Sequence, residues 1–278
     1  MSVDHYENFP VASILMPPAL RGPVTAIYWF ARTADDFSDE GDLPAEQRIA
    51  LLQGYQQELD RIERSEPSDN PIFQRLAPVI HQYQLPLQLF RDLLDAFIQD
   101  VTKDRYADYA ELLDYCRRSA DPVGRLMLHL FDEASEENLR QSDAVCSALQ
   151  LINHWQDVAI DLRKNHDGRI YLPQEDLVRF GVSIEQLREQ LHQGRCDDHF
   201  RALMKFQVDR ARTLMHAGAP LGKRLPGRIG LEIRAIVAGG LRILDKIEKV
   251  EYDVFRRRPK LEFLDGPLIL TKALFKVL

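Results

Sequence analysis

Two pairs of aspartates set inside otherwise apolar helical stretches constrain this chain more than any other feature. Asp35 and Asp39 stand four residues apart, with Asp36 between them, directly after Ala26-Ile27-Tyr28-Trp29-Phe30-Ala31. Asp157 and Asp161 repeat the spacing after Ala148-Leu149-Gln150-Leu151-Ile152. Residues i and i+4 share one face of a helix, so each pair points two carboxylates the same way. Helices that are apolar nearly all round are buried, and carboxylates are seldom buried without partners. A solvated acidic face is the bland explanation of one such pair. Two pairs in apolar surroundings point instead to a polar cavity walled by helices, with the pairs facing each other across it. The compensating ligand expected there is Mg²⁺, a hard ion that takes oxygen donors, keeps several waters and is often shared with substrate phosphates.

The rest of the chain supports an all-α fold. Helical periodicity predicts helices over 23–39, 44–64, 70–83, 87–100, 109–116, 122–130, 136–162, 174–180, 183–193, 196–216 and 228–250. Pro23 and Pro44 are expected in first turns. Ser183 with Gln186 reads as a capping box, and Gly181 as a helix stop. The stretches around Asp167-Gly168 and over 220–227 read as loops. No alternating strand, hairpin signal, fixed-period repeat or linker stands out, so residues 1–278 are expected to form a single domain.

Composition removes several classes of function. A formal net charge of −7 argues against a nucleic-acid partner. Cys116, Cys146 and Cys196 lie far apart without metal or redox spacing and suit a reducing cytoplasm. The first residues show no basic-then-apolar signal pattern, and no stretch nears the roughly 18 apolar residues of a spanning helix. The apolar tail over 267–278, with Lys272 and Lys276, reads either as a helix packed on the domain or as a weak contact with a membrane face.

These motifs resemble the squalene and phytoene synthase family, the head-to-head trans-isoprenyl diphosphate synthases. Tyr28-x-x-x-Arg32-x-x-Asp35-Asp36-x-x-Asp39 is similar to the family's first aspartate-rich motif, and Gln150-x-x-Asn153-x-x-x-Asp157-x-x-x-Asp161 to its second. Arg169-Ile170-Tyr171-Leu172-Pro173 resembles the segment that follows, and Tyr115-Cys116 with Ala120, Val123 and Gly124 resembles another. The resemblance runs from His5 to about Arg258. His5 to Ser13, Trp155-Gln156, Gly239-Gly240-Leu241-Arg242-Ile243-Leu244 and Tyr252-Asp253-Val254-Phe255 look like its hydroxysqualene synthase branch. The carotenoid-type branches commonly carry Arg where Gln156 stands and often Tyr where Gly240 stands.

The resemblance implies a single isoprenoid synthase domain with helices around a central active-site cavity. It implies an Mg²⁺-dependent enzyme of squalene and hopanoid biosynthesis that converts presqualene diphosphate and water to hydroxysqualene and diphosphate. Asp35, Asp36, Asp39, Asn153, Asp157 and Asp161 become the expected metal ligands. Tyr28, Arg32, Tyr171 and Tyr252 are the expected catalytic residues. Asn8, Ser13, Arg32, Tyr115, Ala120, Val123, Gln150, Asn153, Gln156 and Arg169 are expected to meet the substrate. Arginines suit phosphate because the guanidinium keeps its charge and donates in a planar fork. Each tyrosine is equally readable as a core residue with a satisfied hydroxyl. His154 points about 100° away from Asn153 on a helix and reads as a core or supporting residue. The implied partners are an isoprenoid diphosphate and the pathway enzymes that supply presqualene diphosphate and reduce hydroxysqualene. Two alternatives stand beside this reading. One is condensation of two farnesyl diphosphates to presqualene diphosphate, dehydrosqualene or a phytoene-type product. The other is a prenyl-lipid binding protein without catalysis.

Overall fold

A computed structural model describes residues 16–39, 43–164 and 168–275, and the backbone of Asp39 without its side chain. The expected substrate contacts Asn8 and Ser13 lie outside the described residues. The described residues are all-α: thirteen helices, no strand, and one isolated bridge between Arg105 and Ile170. They divide into two compact units.

The first unit lies within Met1–Lys103 and Arg117–Leu139. Its helices are α1 (Pro18–Asp39), α2 (Ala45–Glu63), α3 (Pro71–Tyr83), α4 (Leu87–Thr102) and α6 (Asp121–Leu130). Helix α1 packs on α2, α3 and α4 through Ile27, Phe30 and Ala34, which are fully buried. Phe30 meets Phe73 and Phe90 edge-on, with ring centroids 5.8 and 5.2 Å apart, a favourable aromatic geometry. Asp35 and Asp36 stand off this core stripe on their own side of the helix. Asn70 caps α3, its side chain accepting from the Ile72 N–H at 2.9 Å.

The second unit lies within Asp104–Cys116 and Arg140–Leu278. It holds most of α5 (Tyr109–Ser119) and α7 (Glu136–Asp161). It also holds α8 (Gln174–Arg179), α9 (Ile184–Gln193), α10 (Asp198–Gly218), α11 (Leu221–Arg224), α12 (Gly227–Lys249) and α13 (Asp265–Leu274). The expected capping box is present. Gln186 N–H donates to Ser183 Oγ at 3.2 Å, and Ser183 N–H to Gln186 Oε1 at 2.7 Å. Gly181, at φ +66°, stops the helix before it.

Two expectations need correction, and one open choice is decided. Helix α1 begins at Pro18, so Pro23 sits inside it rather than at its start. The N–H that proline lacks would have bonded the Ala19 carbonyl, and Ala19 is exposed, so water can satisfy that oxygen. The loop expected over 220–227 contains the short helix α11. The apolar tail forms α13 over Asp265–Leu274, which packs on α12. Arg234 ties it down, its Nε donating to the Ala273 carbonyl at 2.6 Å and its Nη1 to the Gly222 carbonyl. Arg242 and Lys246 hold the buried Asp265 at 2.7 and 2.5 Å. Those bonds, Lys246 first, keep its carboxyl well below the usual carboxylate range. Among the described residues no helix is long and apolar enough to cross a membrane.

Candidate active site

The first acidic motif occupies the last turns of α1. Arg32 reaches forward along the helix, with Nη1 3.5 Å from Asp35 Oδ2 and Nη2 2.5 Å from Asp36 Oδ1. One guanidinium thereby offsets two neighbouring carboxylates that are both partly open to solvent. Ser38 Oγ donates to the Asp35 carbonyl at 2.8 Å, and Arg48 Nη1 to the Ser38 carbonyl at 3.1 Å, satisfying orphan carbonyls of the helix end. Asp39 closes the helix. Tyr28 is buried one turn before Arg32, edge-on to Trp29 at 5.4 Å. In the same unit Ala120 precedes α6 as its cap, and Val123 packs against the core that contains Leu126 and Met127.

The second motif occupies the last turns of α7, where Gln150 and Asn153 are half-buried and Asp161 is 5% exposed. Burial, with Asp157 adding repulsion, pushes the Asp161 carboxyl up to about 6, although Lys164 Nζ lies 3.3 Å from it. Asp157 is gripped by Arg258. The Arg258 Nε donates to one carboxylate oxygen, and its Nη2 to the other at 3.0 Å, a bidentate fork across 101 residues of sequence. The residue beside each of these two joins the same seam, since Gln156 Nε2 donates to the Pro259 carbonyl at 2.6 Å. The chain after α12 is therefore strapped over the end of α7 at two consecutive positions.

The segment after α7 folds back onto it. The Arg169 N–H donates to the Asp161 carbonyl at 2.8 Å and the Ile170 N–H to the Asp104 carbonyl at 2.9 Å. Gly168, at φ +71°, permits this return, because a Cβ there would lie 2.6 Å from the Leu162 carbonyl oxygen. Arg169 is buried, with Nη1 3.3 Å from Tyr171 Oη. Tyr171 lies in an aromatic stack, 3.5 Å from His154, 5.6 Å from Tyr106 and 5.9 Å from Tyr115 between ring centroids. Burial first, then the nearby Lys164 and Arg169 charges, drives His154 down to about 3, so its ring is neutral. This is the supporting histidine the helical geometry predicts. A small cavity runs between His154, Val158, Asp161, Arg169 and Tyr171.

The structure thus brings Tyr115, Gln156, Asp157, Asp161, Arg169 and Tyr171 together around the end of α7. Tyr252 lies in the same unit. It follows α12 in a left-handed turn at φ +64°, and the charges acting on it are those of Glu248, Lys205, Asp209 and Arg212. Sequence reasoning missed Arg258 and Tyr106. Arg258 is one of three consecutive arginines, and nothing local marks it out. Tyr106 lies between helices, where no periodicity speaks for it.

Taken separately, each motif sets carboxylate oxygens, hard donors of the kind hard cations take, beside basic side chains. All the acidic groups offer oxygen, and three cationic side chains (Arg32, Lys164 and Arg258) stand on them. Among the described residues no three Asp, Glu, His or Cys side chains form a cage for a metal.

The chain is similar to known proteins over most of its length. The squalene/phytoene synthase family model matches residues 3–265. A hydroxysqualene synthase of Rhodopseudomonas palustris is 37% identical over 87% of this chain and 80% of its own. A 15-cis-phytoene synthase of Synechococcus elongatus is 33% identical over 91% of this chain and 83% of its own. The crystal structure of squalene synthase HpnC from Alicyclobacillus acidocaldarius superposes with a TM-score of 0.80 at 38% identity, covering 89% of this chain and 90% of that one.

Proposed function

The chain belongs to the squalene/phytoene synthase family, and we propose that within it the protein is an Mg²⁺-dependent hydroxysqualene synthase. The similarity to the hydroxysqualene synthase of Rhodopseudomonas palustris, over most of both chains, carries this reading. The substrate would be presqualene diphosphate. The carbon–oxygen bond to diphosphate breaks, the cyclopropane opens, and water bonds to the resulting allylic cation and loses a proton. An upstream condensing enzyme must supply the substrate, and a reductase must remove the hydroxyl. A lipid product also favours work at the inner face of a membrane.

Gly240 supports this choice over a carotenoid-type product. A Cβ at this position would lie 2.7 Å from Met215 Cε and 3.2 Å from Leu149 Cδ2. The tyrosine common there in the carotenoid-type branches would require this core to be rebuilt. Gln156 has its amide nitrogen committed to Pro259, and its side-chain oxygen is by its chemistry an acceptor.

Mg²⁺ held at the first motif by Asp35, Asp36 and Asp39, and at the second by Asn153, Asp157 and Asp161, would neutralise charge developing on a leaving diphosphate. Arg32 and Arg169 supply the planar N–H groups that hold phosphate oxygens. Tyr171, with its hydroxyl 3.3 Å from Arg169 Nη1, would steady that guanidinium. Arg258 competes for the same carboxylate as the cation. Arg258→Met should therefore tighten Mn²⁺ binding to the substrate-free protein on the order of five-fold, the worth of a half-exposed ion pair. Titration followed by the Mn²⁺ electron paramagnetic resonance signal measures this, and weaker binding would contradict the competition.

The reaction itself is tested with purified protein, Mg²⁺ and presqualene diphosphate in ¹⁸O-water without NADPH. Labelled hydroxysqualene is the expected product. Consumption of farnesyl diphosphate with presqualene diphosphate untouched would move the assignment to condensation. Release of diphosphate from neither would leave a lipid binder.

A further inference from the structure

We propose that the segment from Leu261 to Phe275 is a docking surface for an anionic phospholipid bilayer. Single exposed apolar residues are ordinary, but contiguous patches mark interaction sites. Among the described residues, seven of the eleven large exposed hydrophobic side chains fall in this segment, and the other four are scattered over 43–178. Phe263 is 93% exposed, Leu264 84% and Phe275 74%. Leu268, Leu270 and Leu274 are exposed as well, so α13 turns an apolar face to solvent.

That face is held firmly from behind. Asp265 and Ala273 are buried, and Arg234, Arg242 and Lys246 bond to them from α12. The turn carrying Phe263 and Leu264 is fixed by the Glu262 N–H donating to Asp265 Oδ2 at 2.8 Å, and by Lys246 Nζ on the Lys260 carbonyl at 2.9 Å. The apolar side chains are therefore displayed by a braced knuckle and helix.

Charge selects the occupant. From Arg256 to the end, the chain has four more basic than acidic residues, while the rest has eleven more acidic than basic. The two acidic residues of this stretch are already matched, Glu262 by Arg257 at 3.1 Å and Lys246 at 3.2 Å, and Asp265 by the cations behind it. A second copy of the chain would bring the same excess of positive charge to the face. An anionic lipid surface brings the complement, and combines apolar insertion with electrostatic attraction in the way of reversible interfacial segments. This deepens the proposed reading, in which substrate and product are lipids, yet it stands on the surface itself.

The test is flotation of the full chain with phosphatidylcholine vesicles, with and without phosphatidylglycerol, in low and high salt. Binding should require phosphatidylglycerol and weaken with salt. The double substitution Phe263→Ser/Leu264→Ser should lower it at least ten-fold, with unchanged circular dichroism and unchanged turnover of presqualene diphosphate in detergent micelles. Absence of binding by the unsubstituted chain, or equal binding by the double variant, overturns the proposal. Equal binding to neutral vesicles overturns its electrostatic part. A dimer in sedimentation that the two serines dissociate, without vesicle binding, gives the face to a second copy. Vesicle binding without turnover of presqualene diphosphate would sink the proposed reaction and leave the docking surface standing.

Discussion

Replacing Asp157 by Asn, and separately Asp35 by Asn, is expected to lower kcat by on the order of 10²–10³ while the chain stays folded. Asparagine keeps the shape and one oxygen of the side chain and removes only its charge. What is lost is attraction for a divalent cation and, through it, for charge that grows on the diphosphate as the bond breaks. An interaction made mainly in the transition state appears in kcat rather than in KM. The folded state loses little. Asp157 and Arg258 form a pair that is 23% and 42% exposed, a setting in which ion pairs contribute roughly 0–1 kcal/mol. Asp35 shares Arg32 with Asp36, so the guanidinium keeps a partner when one carboxylate goes. Diphosphate release at saturating Mg²⁺, together with urea unfolding of each variant, separates the two effects. Near-normal turnover in both would remove the metal role from the acidic motifs.

The acidic pairs were legible because their information is local. A spacing of four residues places two carboxylates on one helical face wherever the helix lies, and the apolar stretch before each pair declares that the helix is buried. Most helices were legible for the same reason, and their ends follow from local chemistry, as at Asn70, Gly181 and Ser183. Helix α13 was legible only as one of two readings, because it lacks the contrast on which periodicity depends. Ile269 and Ala273 on its inward side are no more apolar than Leu268, Leu270 and Leu274 on its outward side, so no amphipathic stripe emerges. The strap over α7 was illegible for a different reason. The bond from Arg258 to Asp157 spans 101 residues, and three adjacent arginines offer equal candidates. The aromatic stack of Tyr106, Tyr115, His154 and Tyr171 likewise gathers residues from four separate stretches. Pro23 misled because a proline is tolerated beyond the first turn when the carbonyl it leaves unpaired, here that of the exposed Ala19, is open to water.

Asp161→Asn is expected to make the protein more stable above neutral pH in EDTA and to abolish useful turnover at once. The Asp161 carboxyl is 5% exposed, and burial raises it to about 6 in the folded chain, against roughly 3.9 when unfolded. Between those two values the folded state holds a proton that the unfolded state has released. The neutral carboxyl therefore favours folding fully below about pH 4, and that stability is lost as pH rises through about 6. A displacement of about two units corresponds to at most about 3 kcal/mol at pH 8. Asparagine cannot ionise, so the variant should escape this loss. Its advantage over the unsubstituted chain should be near zero at pH 4 and grow through pH 6, as read by urea unfolding at each pH. A divalent cation should reverse the order, because it binds the ionised aspartate of the folded state and has no comparable ligand in asparagine. An advantage that shrank with rising pH, or persisted unchanged in saturating Mg²⁺, would show that Asp161 carries no such strain. With the expected result, the buried charge is a stability sacrificed at one position for affinity toward a cation, the usual signature of a site shaped by function.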